Sequence, residues 1–250
     1  MPNRVAALYD IHGNLPALEA VLGEVAALGV GRVVVGGDVM PGPMPVECLD
    51  ALAAVGVPVD YIAGNGESAV LAAIEGRELP RMPESAAEGV RWVGRALRPD
   101  QSNRIRTWPL THALDVVGVG RVLFCHATPR NNTEIFTRQT PDAAVAGALA
   151  GVAADVVVCG HTHMQHDRRV GTIRVVNAGS IGMPFGRTGA DWLLLGPGVE
   201  LRHTTYDLTA AAGQLRATSF PAVDEFTSKY VLDSPAEEAM LAMFKTAEIS

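Results

Sequence analysis

The chain has 250 residues, 48% of them hydrophobic, with 20 basic and 27 acidic side chains and a net charge of −7. That length suits one large α/β domain or two small ones, and the composition excludes extended disorder. Scattered acids without a basic stripe argue against stable binding to duplex nucleic acid, and no apolar run approaches the roughly 18 residues of a membrane span.

The opening stretch MPNRVAALYD lacks the basic start and long apolar run of a secretory signal, so a cytoplasmic protein is expected. Residues 4–9 read as a strand, 15–28 as an amphipathic helix and 32–36 as a second strand, followed by a helix over 45–55 and a third strand over 57–63. Asn14 is placed to cap the first helix, with Pro16 in its first turn. Strand–helix–strand repetition at this spacing predicts a parallel sheet with right-handed crossovers. Residues 67–106 read as mainly helical, broken by Pro80, Pro83 and Pro99, and as a cover on the sheet.

The second half changes character. Stretches 111–119, 121–124, 155–158, 170–176, 191–195 and 199–206 look like strands, with hairpin turns at Gly118-Val119-Gly120 and Val170-Gly171-Thr172. One helix, over 141–149, interrupts them, and the tail from Leu208 reads as two or three helices. Two strand-rich halves with flanking helices suggest two sheets packed face to face, helices outside, in one domain spanning 1–250. Residues 208–250 would form a helical extension packed on it.

Five short motifs stand at the ends of these apolar runs: Asp10-Ile11-His12, Gly37-Asp38, Gly64-Asn65, His126 and Gly160-His161-Thr162-His163. They hold four of the seven histidines. Residues two apart leave a strand on the same side, so Asp10 with His12, and His161 with His163, can converge on one ion. Asp38 can bridge two ions through its two oxygens, Asn65 ends the third strand with a neutral carbonyl oxygen, and His126 ends another strand. The set amounts to a two-metal hydrolytic site. Its nitrogen and oxygen donors suit Mn, Fe, Ni, Co or Zn better than the all-oxygen sites of Mg or Ca. Cys48, Cys125 and Cys159 form no CxxC motif and read as buried, reduced thiols.

The ordered series DxH, GD, GN, H and GHTH resembles the calcineurin-like metallophosphoesterase superfamily from Asp10 to Ser180. Asp10-Ile11-His12-Gly13-Asn14 and Asn177-Ala178-Gly179-Ser180 are similar to its small bacterial phosphodiesterase-like members. The resemblance implies a four-layer α/β/β/α sandwich of two mixed β-sheets and two divalent transition-metal ions. Asp10, His12 and His163 would hold the first ion, Asn65, His126 and His161 the second, with Asp38 bridging. It further implies a phosphoesterase in which a metal-bridging hydroxide attacks phosphorus in line, with Asp38, Asn65 and His126 serving the chemistry as well as the metals.

Many relatives carry a histidine after the asparagine, where this chain has Gly66. The histidine protonates the leaving group or stabilises the transition state, and losing such a group costs about 10²–10⁴-fold for a poor leaving group. Together with the lower charge of a diester, Gly66 points to phosphodiesters. Phosphomonoesters of nucleotides or proteins are the alternative, and a low-activity protein-binding scaffold is a third reading. The arginine of the GDxxDRG motif is absent: the chain reads Gly37-Asp38-Val39-Met40-Pro41-Gly42-Pro43. Arg130, four residues beyond His126, is the candidate for a substrate phosphate contact, with Arg187 a weaker one. Glu67 reads as a helix cap, His166 as an exposed loop histidine, and the rim loops 41–45, 130–138 and 183–189 as the places where substrate is chosen. The expected partner is a small phosphoester, with no membrane; a homodimer is left open.

Overall fold

A computed structural model describes residues 3–249, so Met1, Pro2 and Ser250 of the expected 1–250 span lie outside the described residues. The chain opens with β1 (Val5–Leu8), α1 (Leu15–Ala27), β2 (Arg32–Val35), α2 (Pro45–Ala53) and β3 (Val59–Tyr61). Helices α3 (Asn65–Ile74), α4 (Glu84–Ala96) and α5 (Pro99–Ile105) follow, the breaks coinciding with the prolines at 80, 83 and 99. Then come β4 (Thr111–Val116), β5 (Gly120–Cys125), α6 (Asp142–Ala148), β6 (Val156–Cys159), β7 (His166–Val170), β8 (Ile173–Asn177), β9 (Ala190–Leu195) and β10 (Val199–Thr204). The tail carries α7 (Leu208–Arg216), α8 (Val223–Thr227) running into a π-helical turn at Ser228–Leu232, and α9 (Glu237–Phe244).

Two five-stranded mixed sheets result, in the orders β10-β9-β1-β2-β3 and β4-β5-β6-β8-β7. In the first, β1, β2 and β3 are parallel and β9 runs antiparallel beside β1; in the second, β5, β6 and β8 are parallel. The valine runs Val33–Val35 and Val156–Val158 are buried on both sides, as central parallel strands must be. Alternation sorts β1 between two cores. Val5 and Ala7 face the other sheet's Val122, Phe124, Val156 and Val158. Ala6 and Leu8 face Leu18, Leu49, Val70 and Val93 of the helical layer. Cys125, Val157 and Val175 turn the other way to meet Val145 of α6. The layers are therefore α/β/β/α, as the resemblance implied.

Several local readings need correction. Strand β3 is only three residues long, and Asn65 begins α3 rather than ending a strand. Residues 170–176 are not one strand but the turn and second arm of a hairpin whose first arm, β7, has no apolar alternation. Asp167, Arg168 and Arg169 sit on this strand because it is the sheet's edge, where charge blocks pairing with other chains. His166 opens that strand and is buried, not exposed. All three cysteines are buried and free, in line with their reading as small apolar groups. No helix among the described residues is long and apolar enough to cross a membrane.

Candidate metal centre

Loops leaving the carboxyl ends of β1, β2, β3, β5 and β6 meet at one edge of the sandwich, the usual ligand position in open α/β sheets. They bring Asp10, Asp38 and three histidines into two overlapping groups, Asp10–His12–His163 and Asp10–Asp38–His126. Within each group the donor atoms all lie within 4.8 Å of one another, and every member is buried.

The backbone is bent to do this. Asp10, His12, Asp38, His161 and His163 have φ of 53°, 48°, 53°, 66° and 58°, and Ala222 is the one other non-glycine residue with positive φ among those described. Such conformations cost on the order of 1 kcal/mol each and persist where surrounding bonds over-determine them. Those bonds are present: the amide of Asp10 donates to Gly37 O at 3.1 Å, that of His12 to Asp38 O at 3.0 Å, and that of Gly182 to Asp10 O at 2.9 Å. Asn177 and Ser180 brace the same loops. The Asn177 amide donates to Gly160 O, and the Ser180 hydroxyl to Asp10 O.

Three imidazoles are held alike. Nδ1 of His12 lies 3.2 Å from Pro41 O, that of His126 3.0 Å from Gly36 O, and that of His163 2.8 Å from Met183 O. A carbonyl accepts only from N–H, so the proton stays on Nδ1 and each Nε2 turns its lone pair inward. The Nε2 atoms of His12 and His163 are 3.2 Å apart, and Nε2 of His126 is 3.0 Å from Oδ1 of Asn65. Burial and the neighbouring His163 lower the His12 pKa to about 3, and burial and His126 do the same for His161. Both rings are therefore neutral, the state that ligates.

The carboxylates complete the pattern. Asp10 Oδ1 is buried with no hydrogen-bond donor, 3.3 Å from His163 Nε2 and 3.9 Å from the Nε2 atoms of His12 and His126. Asp38 Oδ2 lies 3.8 Å from His12 Nε2 and 3.6 Å from His126 Nε2, between the two groups. Burial and the charge on Asp10 push Asp38 well up. Inward lone pairs, an orphaned oxygen and two carboxylates competing to ionise are all relieved by divalent cations, so the residues fit the metals the resemblance implies.

Asn65, on the first turn of α3, is in reach of the second group, whereas His161 stands beside it. The His161 ring packs edge-on to His126 at 5.0 Å, and its amide donates to Asp10 Oδ2 at 2.8 Å. Arg130 is exposed, and its guanidinium is taken by Glu134 in two hydrogen bonds of 3.1 and 2.6 Å. Arg187 is held by Asp191 and Gln165, and His203 also bonds Asp191. Asn14 caps α1 through Ala17 N and donates to Gly182 O.

Glu67 does more than cap. Fully buried, it accepts the amides of Asp38, Val39 and Gly64, each at 2.8 Å, tying the Asp38 loop to the start of α3. Burial and Asp38 raise its pKa to about 7. A glutamate three residues after a helix-starting glycine is a capping signal in sequence, but its reach across to the Asp38 loop is not.

Gly66 has a steric reason to be glycine. A Cβ there would lie 2.1 Å from Met40 O and 2.9 Å from Asp38 Oδ1, while its amide donates to that Oδ1 at 2.6 Å. Sequence reasoning missed the whole wall formed by Phe220, Phe226, Lys229 and Tyr230, which lies across from α3 and α4 beside the ligands.

Comparison with known proteins gives the family and the fold. The chain is 27% identical over 162 residues to the uncharacterized protein MJ0912 of Methanocaldococcus jannaschii, a match that takes in 64% of this chain and 62% of that relative's length. Its fold is similar to the crystal structure of hypothetical protein PH1004 from Pyrococcus horikoshii OT3. That match has a TM-score of 0.75 at 20% identity and covers 92% of this chain and 99% of the other. It is also similar to a metallophosphoesterase from Sphaerobacter thermophilus, with a TM-score of 0.70 at 20% identity over 91% and 98% of the two chains. The family model for the calcineurin-like phosphoesterase superfamily domain matches residues 4–195, a span that contains every residue of the site from Asp10 to His163. The chain therefore belongs to the calcineurin-like phosphoesterase superfamily.

Proposed function

We propose that this protein is a dinuclear-metal phosphodiesterase acting on a small organic phosphoester in the cytoplasm. The observation that carries the reading is the set of inward-facing Nε2 atoms on His12, His126 and His163, grouped around the unpartnered Oδ1 of Asp10. Asp10, His12 and His163 would hold one divalent ion and Asn65, His126 and His161 the other, with Asp38 shared. The ions, Mn, Fe, Ni, Co or Zn by donor type, would supply acidification of water and positive charge for in-line displacement at phosphorus.

The chain's own part is to fix that charge. Glu67 holds the Asp38 loop, the carbonyls of Pro41, Gly36 and Met183 orient the imidazoles, and the amide of Gly66 binds the other oxygen of Asp38. Diesters are favoured over monoesters because the arginines near the rim are already engaged. Arg130 is paired with Glu134, and Arg187 with Asp191, so neither guanidinium is free to pair with a dianion. Arg130 would meet a substrate phosphate only by releasing Glu134.

The test is hydrolysis of bis-p-nitrophenyl phosphate against p-nitrophenyl phosphate, after chelation and again with Mn²⁺ or Ni²⁺ restored. Metal-dependent turnover favouring the diester is expected. A clear preference for the monoester would instead establish a phosphomonoesterase.

A further inference from the structure

A groove of about 430 Å³ opens directly from the ligand cluster, with His12, Asp38 and Asn65 at one end. One wall is made of small residues on the two helices, Gly66 and Ala69 of α3 and Ala86 and Gly89 of α4. The facing wall comes from the tail, where Phe220 and Phe226 are packed together with ring centroids 6.2 Å apart. Phe220 is also held edge-on by Trp92 at 5.4 Å, so this wall is rigid. Bare backbone lets α4 approach it closely: a Cβ at Gly89 would lie 3.1 Å from Phe220 Cζ. Phe220 therefore closes the groove against α4 at Gly89, and the space left, lined by Ala69, Ala86 and Phe226 among others, has a volume within the usual range for small-molecule sites.

At the rim stands Lys229, one of two lysines in the chain. It forms no ion pair or hydrogen bond among the described residues, and its ammonium lies 5.2 Å from the centroid of the Tyr230 ring. Glu225 lines the same groove, so the charge at this mouth is mixed and what the groove offers a ligand is mainly its apolar area.

We propose that this groove binds one ester arm of the substrate and selects a planar, ring-sized apolar group there, an aryl ring or a nucleobase, with phosphorus at the His12–Asp38–Asn65 end. The proposal rests on the phosphodiesterase reading, since a diester presents an arm to the groove while keeping a second one free. Continuity between groove and ligands is what commits the occupant to the substrate itself, because a group seated at the slot's inner end is already beside His12 and Asp38.

Binding of diphenyl phosphate and dimethyl phosphate to the Mn²⁺-loaded full chain, measured by calorimetry with phenol release followed on the same samples so that heat of hydrolysis is not counted as binding, tests this. The two ions carry the same charge and differ only in their arms. Burying one ring should make diphenyl phosphate bind at least about tenfold more tightly. The methyl ester of thymidine 5′-monophosphate, measured alongside, distinguishes a nucleobase arm from an aryl one. Ala86 is exposed on α4 and lines the slot, so Ala86→Leu should fill it and bring the diphenyl-to-dimethyl ratio to within about twofold of unity, while Ala86→Ser keeps the ratio high. Circular dichroism melting checks that both variants fold. A wild-type ratio near one, or a ratio that survives Ala86→Leu, would overturn the proposal. A high ratio in a protein that never cleaves bis-p-nitrophenyl phosphate would instead sink the phosphodiesterase reading and leave the groove as a site for aryl phosphates.

Discussion

The two ends of the groove are built on opposite plans. At the ligand end, strained backbone, buried carboxylates and carbonyl-anchored imidazoles fix each donor through several hydrogen bonds. At the tail end, Ala69, Ala86 and Gly89 line the groove with Phe220 and Phe226, and the charged groups there, Glu225 and Lys229, are exposed. Ligand geometry tolerates little error, because a displaced donor loses its ion, whereas an apolar slot binds by area and shape. The ligand end should therefore respond to single-atom changes, and the groove only to changes in volume.

The largest expected effect tests the first half of that contrast. Asp38→Asn keeps the volume and removes one charge between the two groups of donors. Activity on bis-p-nitrophenyl phosphate should fall by two or three orders of magnitude, roughly what removal of a transition-state stabiliser costs. The metal content measured by mass spectrometry should fall with it. Near-normal turnover in this variant would remove Asp38 from the scheme.

Gly66 lies where the two plans meet, and its substitution sharpens the comparison. Gly66→Ala forces a Cβ toward Met40 O and disturbs the loop carrying Asp38, so it should cost about 1–3 kcal/mol in urea unfolding and reduce activity. Gly66→His should not create a monoesterase, because the space for its side chain is filled by the Met40 carbonyl and the Pro41 ring. A rise in p-nitrophenyl phosphate turnover would show that the loop can move aside, and would return Gly66 to being simply a missing acid.

A third experiment probes the scaffold away from both ends. Burial, with the charges of Arg168 and Arg138 adding to it and the Met164 backbone opposing, lowers the His166 pKa to about 4. In the unfolded chain the ring titrates near 6.5, so between these values the unfolded state binds more protons and stability falls as pH drops. Compared with wild type, His166→Gln should flatten the decline from about pH 6.5 to about pH 4 by up to one proton's slope, near 1.4 kcal/mol per pH unit. Parallel curves for the two proteins would mean that His166 titrates normally in the fold.

The smallest effect is expected at Arg130. Its pairing with Glu134 is exposed and should contribute at most about 1 kcal/mol to stability. Arg130→Ala should change the KM for bis-p-nitrophenyl phosphate by no more than about threefold, a difference of well under 1 kcal/mol. A loss in kcat beyond tenfold would show that the guanidinium leaves Glu134 for the transition state.

Much of the ligand end was legible beforehand because metal chemistry demands particular residue types at strand ends, and Asp, Asn and His in that order have few other uses. The strands themselves announced their positions through valine runs such as Val33–Val35 and Val156–Val158. Where pattern failed, the physical reason is local: β7 is a charged edge strand without alternation, and Asn65 belongs to a helix whose start depends on Glu67 bonding across to Asp38 and Val39. Residue order alone thus determined the sandwich and which aspartates and histidines gather at its edge. Only the tertiary structure decided that Arg130 is engaged by Glu134, that Gly66 lies against the Met40 carbonyl, and that the tail meets α4 to enclose a slot. The last two contacts join segments far apart in the chain, the first spans only four residues, and all involve backbone atoms or side chains of ordinary composition, which leave no periodic or motif trace in the sequence.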